Sequence, residues 1–163
     1  MTAANPYALQ LGSRDAREVI RATPHNLIHL ADSLGAGGFE RSYAPGKWTA
    51  RMILCHLADC EIAFGFRIRQ ALAQDNHLIQ PFDQDAWAQP YGNPSFHAQT
   101  ALHVFCDLRG WNVLLLDSLD PEAFRRRVRH PERGEMTLET IVEIMAGHDL
   151  NHLHQLETIA GQG

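Results

Sequence analysis

The amino-acid sequence predicts an all-α protein, a four-helix bundle with a long crossover between its second and third helices. Three observations carry this. Four segments show helical apolar patterning between caps and Pro/Gly-rich breaks. No stretch shows sustained period-two alternation, so no sheet is expected. The length of 163 residues suits one domain with a real core, residues 1–163 as a whole.

The first helix is expected from about Ser13 to Leu34 and ends at Gly35, Gly37 and Gly38. Thr23-Pro24 inside it reads as an N-cap followed by Pro at the first helical position, so a break or kink is expected there. The second helix opens after Pro45-Gly46-Lys47-Trp48-Thr49, with Thr49 as N-cap and Trp48 stapling the entry, and runs to about Ala73. Its apolar residues, among them Ile53, Leu57, Ile62, Phe66 and Ile68, lie nearly all round, which places it centrally or at a subunit interface.

Residues 74–95 form a long connection with Pro81, Pro90, Gly92 and Pro94. A connection of this length can cross a bundle, whereas antiparallel neighbours need only a short turn. The third helix spans about Phe96 to Leu119 and stops at Asp120-Pro121; a second loop runs to about Met136. Thr137 caps the fourth helix, which ends near Ala160-Gly161.

Composition narrows the function. Hydrophobic residues make up 45% and charged residues 20%, and no apolar run approaches a membrane span. The start, Met1 to Gln10, lacks the pattern of a signal peptide, so a cytoplasmic protein is expected. A net charge of −5 disfavours nucleic-acid binding. The Arg125-Arg126-Arg127 run with Arg129 reads as solvated surface in preference to an anion site. The three cysteines, Cys55, Cys60 and Cys106, contain no Cys-x-x-Cys pair and fit a reduced compartment.

Histidine carries the chemical signal. His148 and His152 are four residues apart on the fourth helix, so both project from one face. On a helical wheel that face holds Ile141 and Met145, while His154 turns away. The pair His25 and His29 has the same spacing but points away from the face of Leu27, Leu30 and Leu34, and reads as surface. Two stacked inward imidazoles need partners in one small volume, and a metal ion satisfies both. His56, two turns into the second helix, is the candidate third ligand. Cys60, one turn further, makes a formal ligand pair with it, although a small buried hydrophobe is the favoured reading. Asp149 lies near the apolar face, where it can orient a ligand histidine or pair with Arg67 or Arg109; the pairing is favoured. Asp59 and Glu61 are candidate bases, better read as bundle-stabilising partners.

Pro45-Gly46-Lys47-Trp48-Thr49 with His56-Leu57-Ala58-Asp59-Cys60-Glu61 and Arg67 resembles the second helix of the DinB/YfiT-like proteins. Phe105-Cys106-Asp107-Leu108-Arg109 resembles their third helix, and Gly134 to Leu138 with His148-Asp149-Leu150-Asn151-His152-Leu153-His154-Gln155 their last. The resemblance covers about Thr23 to Leu156. It implies an up-down-down-up bundle, a homodimer, and a divalent metal held by His56, His148 and His152.

Three neutral imidazoles leave a coordination position open, as catalytic sites do. Zn or Ni are the first expectations for the metal, with Fe, Co and Mn as further candidates. The expected function is that of a metal-dependent enzyme on a small-molecule substrate, a hydrolase or a transferase to a low-molecular-weight thiol, with no catalytic residue assigned. The alternative is a dimeric, stress-associated metal-binding module without turnover.

Overall fold

Asp15 opens the first long helix by accepting hydrogen bonds from the backbone N–H groups of Arg17 (2.8 Å) and Glu18 (3.1 Å). The computed structural model describes residues 5–162; Met1–Ala4, part of the start read for a signal peptide, and Gly163 lie outside the described residues. A single turn, α1 (Ala8–Leu11), precedes the long α2 (Ala16–Gly38). Thr49 caps α3 (Ala50–Ala73), its hydroxyl oxygen accepting from Met52 N at 3.3 Å. Thr137 does the same for α6 (Leu138–Ala160) through Thr140 N at 3.2 Å. Between them lie the short α4 (Gln84–Ala88) and the long α5 (Ala98–Asp117).

Two apolar clusters fix the helix directions. One gathers Leu27 and Leu34 of α2, Ile53 and Leu57 of α3, Leu102 of α5 and Leu156 of α6. The other gathers Ile20 of α2, Phe64 and Ile68 of α3, Leu116 of α5 and Ile141 of α6. Early α2 therefore lies with early α6, and early α3 with early α5, while early α3 lies with late α6. The order is up-down-down-up. Because α3 and α5 run parallel, the chain must return along the bundle between them, and residues 74–97 make that return.

Two expectations are corrected. Pro24 does not break α2: the one residue with non-helical dihedrals inside it is Gly35, at φ +61°. Proline removes an N–H that would have bonded the carbonyl of Ile20. Arg109 fills that vacancy from α5, its Nη1 donating to Ile20 O at 2.9 Å. Nor is the protein free of sheet. Strand β1 (His77–Leu78) pairs parallel with β2 (Arg127–His130), which pairs antiparallel with β3 (Gly134–Thr137). These strands are at most four residues long, too short to carry a sustained alternation. Yet Val128 and Met136, paired in register, do turn into the second apolar cluster.

Candidate metal centre

Between the two apolar clusters lies a polar layer, with different chemistry on its two sides. The helix turn His148-Asp149 explains the split, because successive residues point about 100° apart. His148 faces α3 and Asp149 faces α5.

On the first side, His56 Nε2 stands 3.0 Å from His148 Nε2. The His152 ring is beside both, its centroid 4.9 Å from that of His56 and 4.5 Å from that of His148. Cys60 Sγ lies 3.4 Å from His56 Nε2, and one potential ligand atom from each of His56, Cys60 and His148 falls within a 4.8 Å sphere of separation. The compact set of donor atoms thus includes Cys60, with His152 adjacent to it. Two imidazole nitrogens on one tetrahedral ion would be about 3.3 Å apart, close to the separation found here. His148 Nδ1 is buried and has no hydrogen-bond partner among the described residues.

The protonation states suit ligation. Burial, then the His152 charge, lowers the His56 pKa to about 3. Burial also holds His148 well below its ordinary value, and lowers His152 against the opposing pull of Gln155 and Asp149. All three rings are neutral at pH 7. His152 Nδ1 donates to Gln155 Oε1 at 2.8 Å, which leaves Nε2 as its free lone pair. Trp48 packs against His56, with ring centroids 4.9 Å apart, and Tyr7 meets His148 edge-on at 5.5 Å. Tyr7 reaches the site because Gly147 carries no side chain: a Cβ there would lie 2.5 Å from Tyr7 Cβ and 2.7 Å from Tyr7 O.

On the second side, Arg109 is held between two carboxylates. Its Nη2 and Nε donate to Glu61 Oε2 (2.8 Å) and Oε1 (3.1 Å), and its Nη1 and Nη2 to Asp149 Oδ2 (2.6 Å) and Oδ1 (3.1 Å). Burial disfavours the guanidinium charge, but Asp149 and Glu61 outweigh it and raise the Arg109 pKa. Glu61 also accepts from Asn112 Nδ2 at 2.8 Å, and Thr23 Oγ1 donates to Asp149 Oδ2 at 2.8 Å. Asp149 therefore pairs with Arg109, not Arg67. Glu61 is tied into the same cluster, and Asp59 accepts from the Tyr91 hydroxyl. These acids serve the scaffold, as expected of them.

A cavity of about 150 Å³ opens beside the cluster, with His148 and Cys60 on its wall. Its other walls come from α3 (Arg67), the long return segment (Phe82) and the β2–β3 turn (Arg133). His25, His29 and His154 are exposed, and so are Arg125, Arg127 and Arg129. Tyr7, Gln155 and Arg133 are contributions that sequence reasoning missed. Gln155, one turn after His152, and Gly147, beside His148 in a helix, were the available signals.

A family model described as the DinB superfamily matches residues 20–156. A protein of Oceanobacillus iheyensis named "Putative metal-dependent hydrolase" is 30% identical over 145 residues, 86% of this chain and 81% of its own length. YfiT of Bacillus subtilis, with the same description, is 24% identical over 144 residues, 88% of this chain and 81% of its own. The solved structure of YfiT superposes with a TM-score of 0.82 at 23% identity, covering 90% of this chain and 85% of that one. It is described as having an unusual four-helix bundle topology, and it shares this fold. The chain belongs to the DinB superfamily.

Proposed function

We propose that this protein is a divalent-metal-dependent enzyme in which His56, His148 and His152 hold the metal, Zn or Ni first among the candidates. The observation that carries the reading is three neutral imidazoles in mutual contact, two of them with facing nitrogens 3.0 Å apart. A divalent ion there would supply Lewis acidity and a bound water of lowered pKa.

The chain's own residues do the rest. Gln155 fixes the His152 tautomer. Asp149, anchored by Arg109, fixes the turn of α6 that carries His148. Trp48 packs on the His56 ring, and Phe64 and Tyr7 meet the His148 ring edge-on, which shields both from water. The cavity admits a small-molecule substrate to His148. Hydrolysis is favoured by the names of the relatives. Transfer to a low-molecular-weight thiol is the second chemistry the same open position serves.

The test is metal content. The protein as purified should contain a divalent metal, and His56→Ala, His148→Ala and His152→Ala should each lose most of it. Unchanged content in all three variants would falsify the assignment.

The same reading includes a homodimer formed through α3 and α5. Ile62 and Phe66 on α3 are 51% and 55% exposed, and Trp111 and Leu114 on α5 are 64% and 65% exposed. Trp111 and Leu114 also line a groove between the two helices with Arg69 and Leu72. An exposed apolar face of this kind favours a protein partner. Sedimentation should give a dimer that Trp111→Glu disperses; a monomeric parent protein would exclude it.

A further inference from the structure

The cavity beside His148 carries a charge imbalance that metal ligation does not require. Arg67 lies on α3, two turns beyond Cys60, and Arg133 lies in the β2–β3 turn; both line the cavity. His130, at the end of β2, lines it too, and Glu132 is the one carboxylate on the wall among the described residues.

Several other arginines of the folded chain stand against carboxylates. Arg109 has Glu61 and Asp149, Arg51 has Glu40, Arg126 has Asp75 and Arg21 has Asp117. Among the described residues, neither Arg67 nor Arg133 has a carboxylate within 4.0 Å. The polar contact of Arg67 is a long 3.4 Å bond to Gln80 O. Its guanidinium otherwise lies over Phe82, 5.5 Å from the ring centroid, and near Phe64 at 6.0 Å. Burial lowers the Arg67 pKa, and Arg133 adds repulsion. Two like charges with unused donors therefore converge on one small space. A planar anion would relieve the repulsion and fill both forks.

We propose that Arg67 and Arg133 form a carboxylate-binding subsite, so that the substrate is a short molecule with a carboxylate at one end and its reacting group toward His148. The cavity, about 150 Å³, is small beside the roughly 300–1,000 Å³ of drug-sized sites, which limits the substrate to a few heavy atoms beyond the carboxylate. The orientation rests on the metal-centre reading; the anion subsite does not.

The experiment uses succinate as the probe and inorganic phosphate as the comparison. Each is titrated into the protein as purified and after chelation, followed by the imidazole resonances of His130 and by calorimetry. Succinate should bind both forms and shift the His130 signals. Arg67→Gln and Arg133→Gln should each weaken succinate about tenfold, the scale of a lost charge-assisted bond, with metal content unchanged. Equal succinate affinity in the double variant overturns the subsite, as does a parent protein that binds no succinate. Tighter phosphate than succinate overturns the carboxylate assignment. If the variants fold poorly, succinamide on the parent protein decides: affinity equal to succinate sinks the charge argument. Failure of the metal assignment appears separately, in the metal content of the histidine variants, because the chelated protein still reports succinate binding.

Discussion

Arg109 Nη1 donates to the carbonyl oxygen of Ile20 at 2.9 Å, the oxygen that Pro24 deprives of its helical partner. A proline inside a helix is thus matched by a buried guanidinium on a neighbouring helix. The same guanidinium donates to both Glu61 and Asp149, and the four groups form one unit.

Arg109→Met should lower stability by about 3–5 kcal/mol, the range for breaking a buried ion pair from one side. Pro24→Ala supplies a new N–H to Ile20. It should therefore stabilise the Arg109→Met protein more than the parent, with a coupling of about 0.5–3 kcal/mol. Urea unfolding of the four proteins measures it; additive effects would dissolve the link between Pro24 and Arg109.

Gly147→Ala should displace the segment that carries Tyr7, because the new Cβ meets Tyr7 backbone as well as side chain. The helix gains about 1 kcal/mol from losing a glycine, so global stability should change little or fall modestly. The clear readout is Cys60, now shielded beside His148. In a chelated Cys106→Ser background, Cys60 should react faster with a thiol reagent once Tyr7 is displaced.

Chelation should lower the melting temperature of the parent protein and leave that of His56→Ala nearly unchanged. A ligand present at about 100-fold its Kd contributes about 2.7 kcal/mol, an easily seen shift. Scanning calorimetry with and without chelator checks it. An equal response in His56→Ala would place the metal elsewhere.

Burial, then Arg133 and Arg67, hold His130 below its ordinary pKa. The unfolded chain then binds a proton at His130 that the folded one refuses. Its stability contribution is complete above the unfolded pKa of about 6.5 and is lost as pH falls from there toward the folded value. In chelated protein, His130→Gln should flatten the decline in stability between pH about 7 and about 5. Arg133→Gln should flatten it less. Identical slopes would show that His130 is not depressed.

The long helices were legible because their signals are local. Thr49 and Thr137 cap where a short-range rule puts them, and the wheel of α6 turns His148 and His152 inward while leaving His154 outside. The features that escaped depend on distant partners. Pro24 reads as a break until Arg109 is placed beside Ile20. Strand β1 is two residues long and pairs with residues some fifty positions later. Tyr7 joins the site through Gly147, and nothing near either residue announces the other. Arg133 follows the missed strands, since the β2–β3 turn is what carries it to the cavity.

The return segment between the parallel α3 and α5 has to exist for the topology to close, whatever its sequence. Ile79, Pro81, Phe82 and Gln84 show that this obligatory length of chain also walls the cavity, while His56, His148 and His152 sit on helices it does not interrupt. Substrate preference can therefore drift by substitution in a segment that bears no donor atom of the histidine cluster, and one rigid centre can be inherited beneath many different mouths.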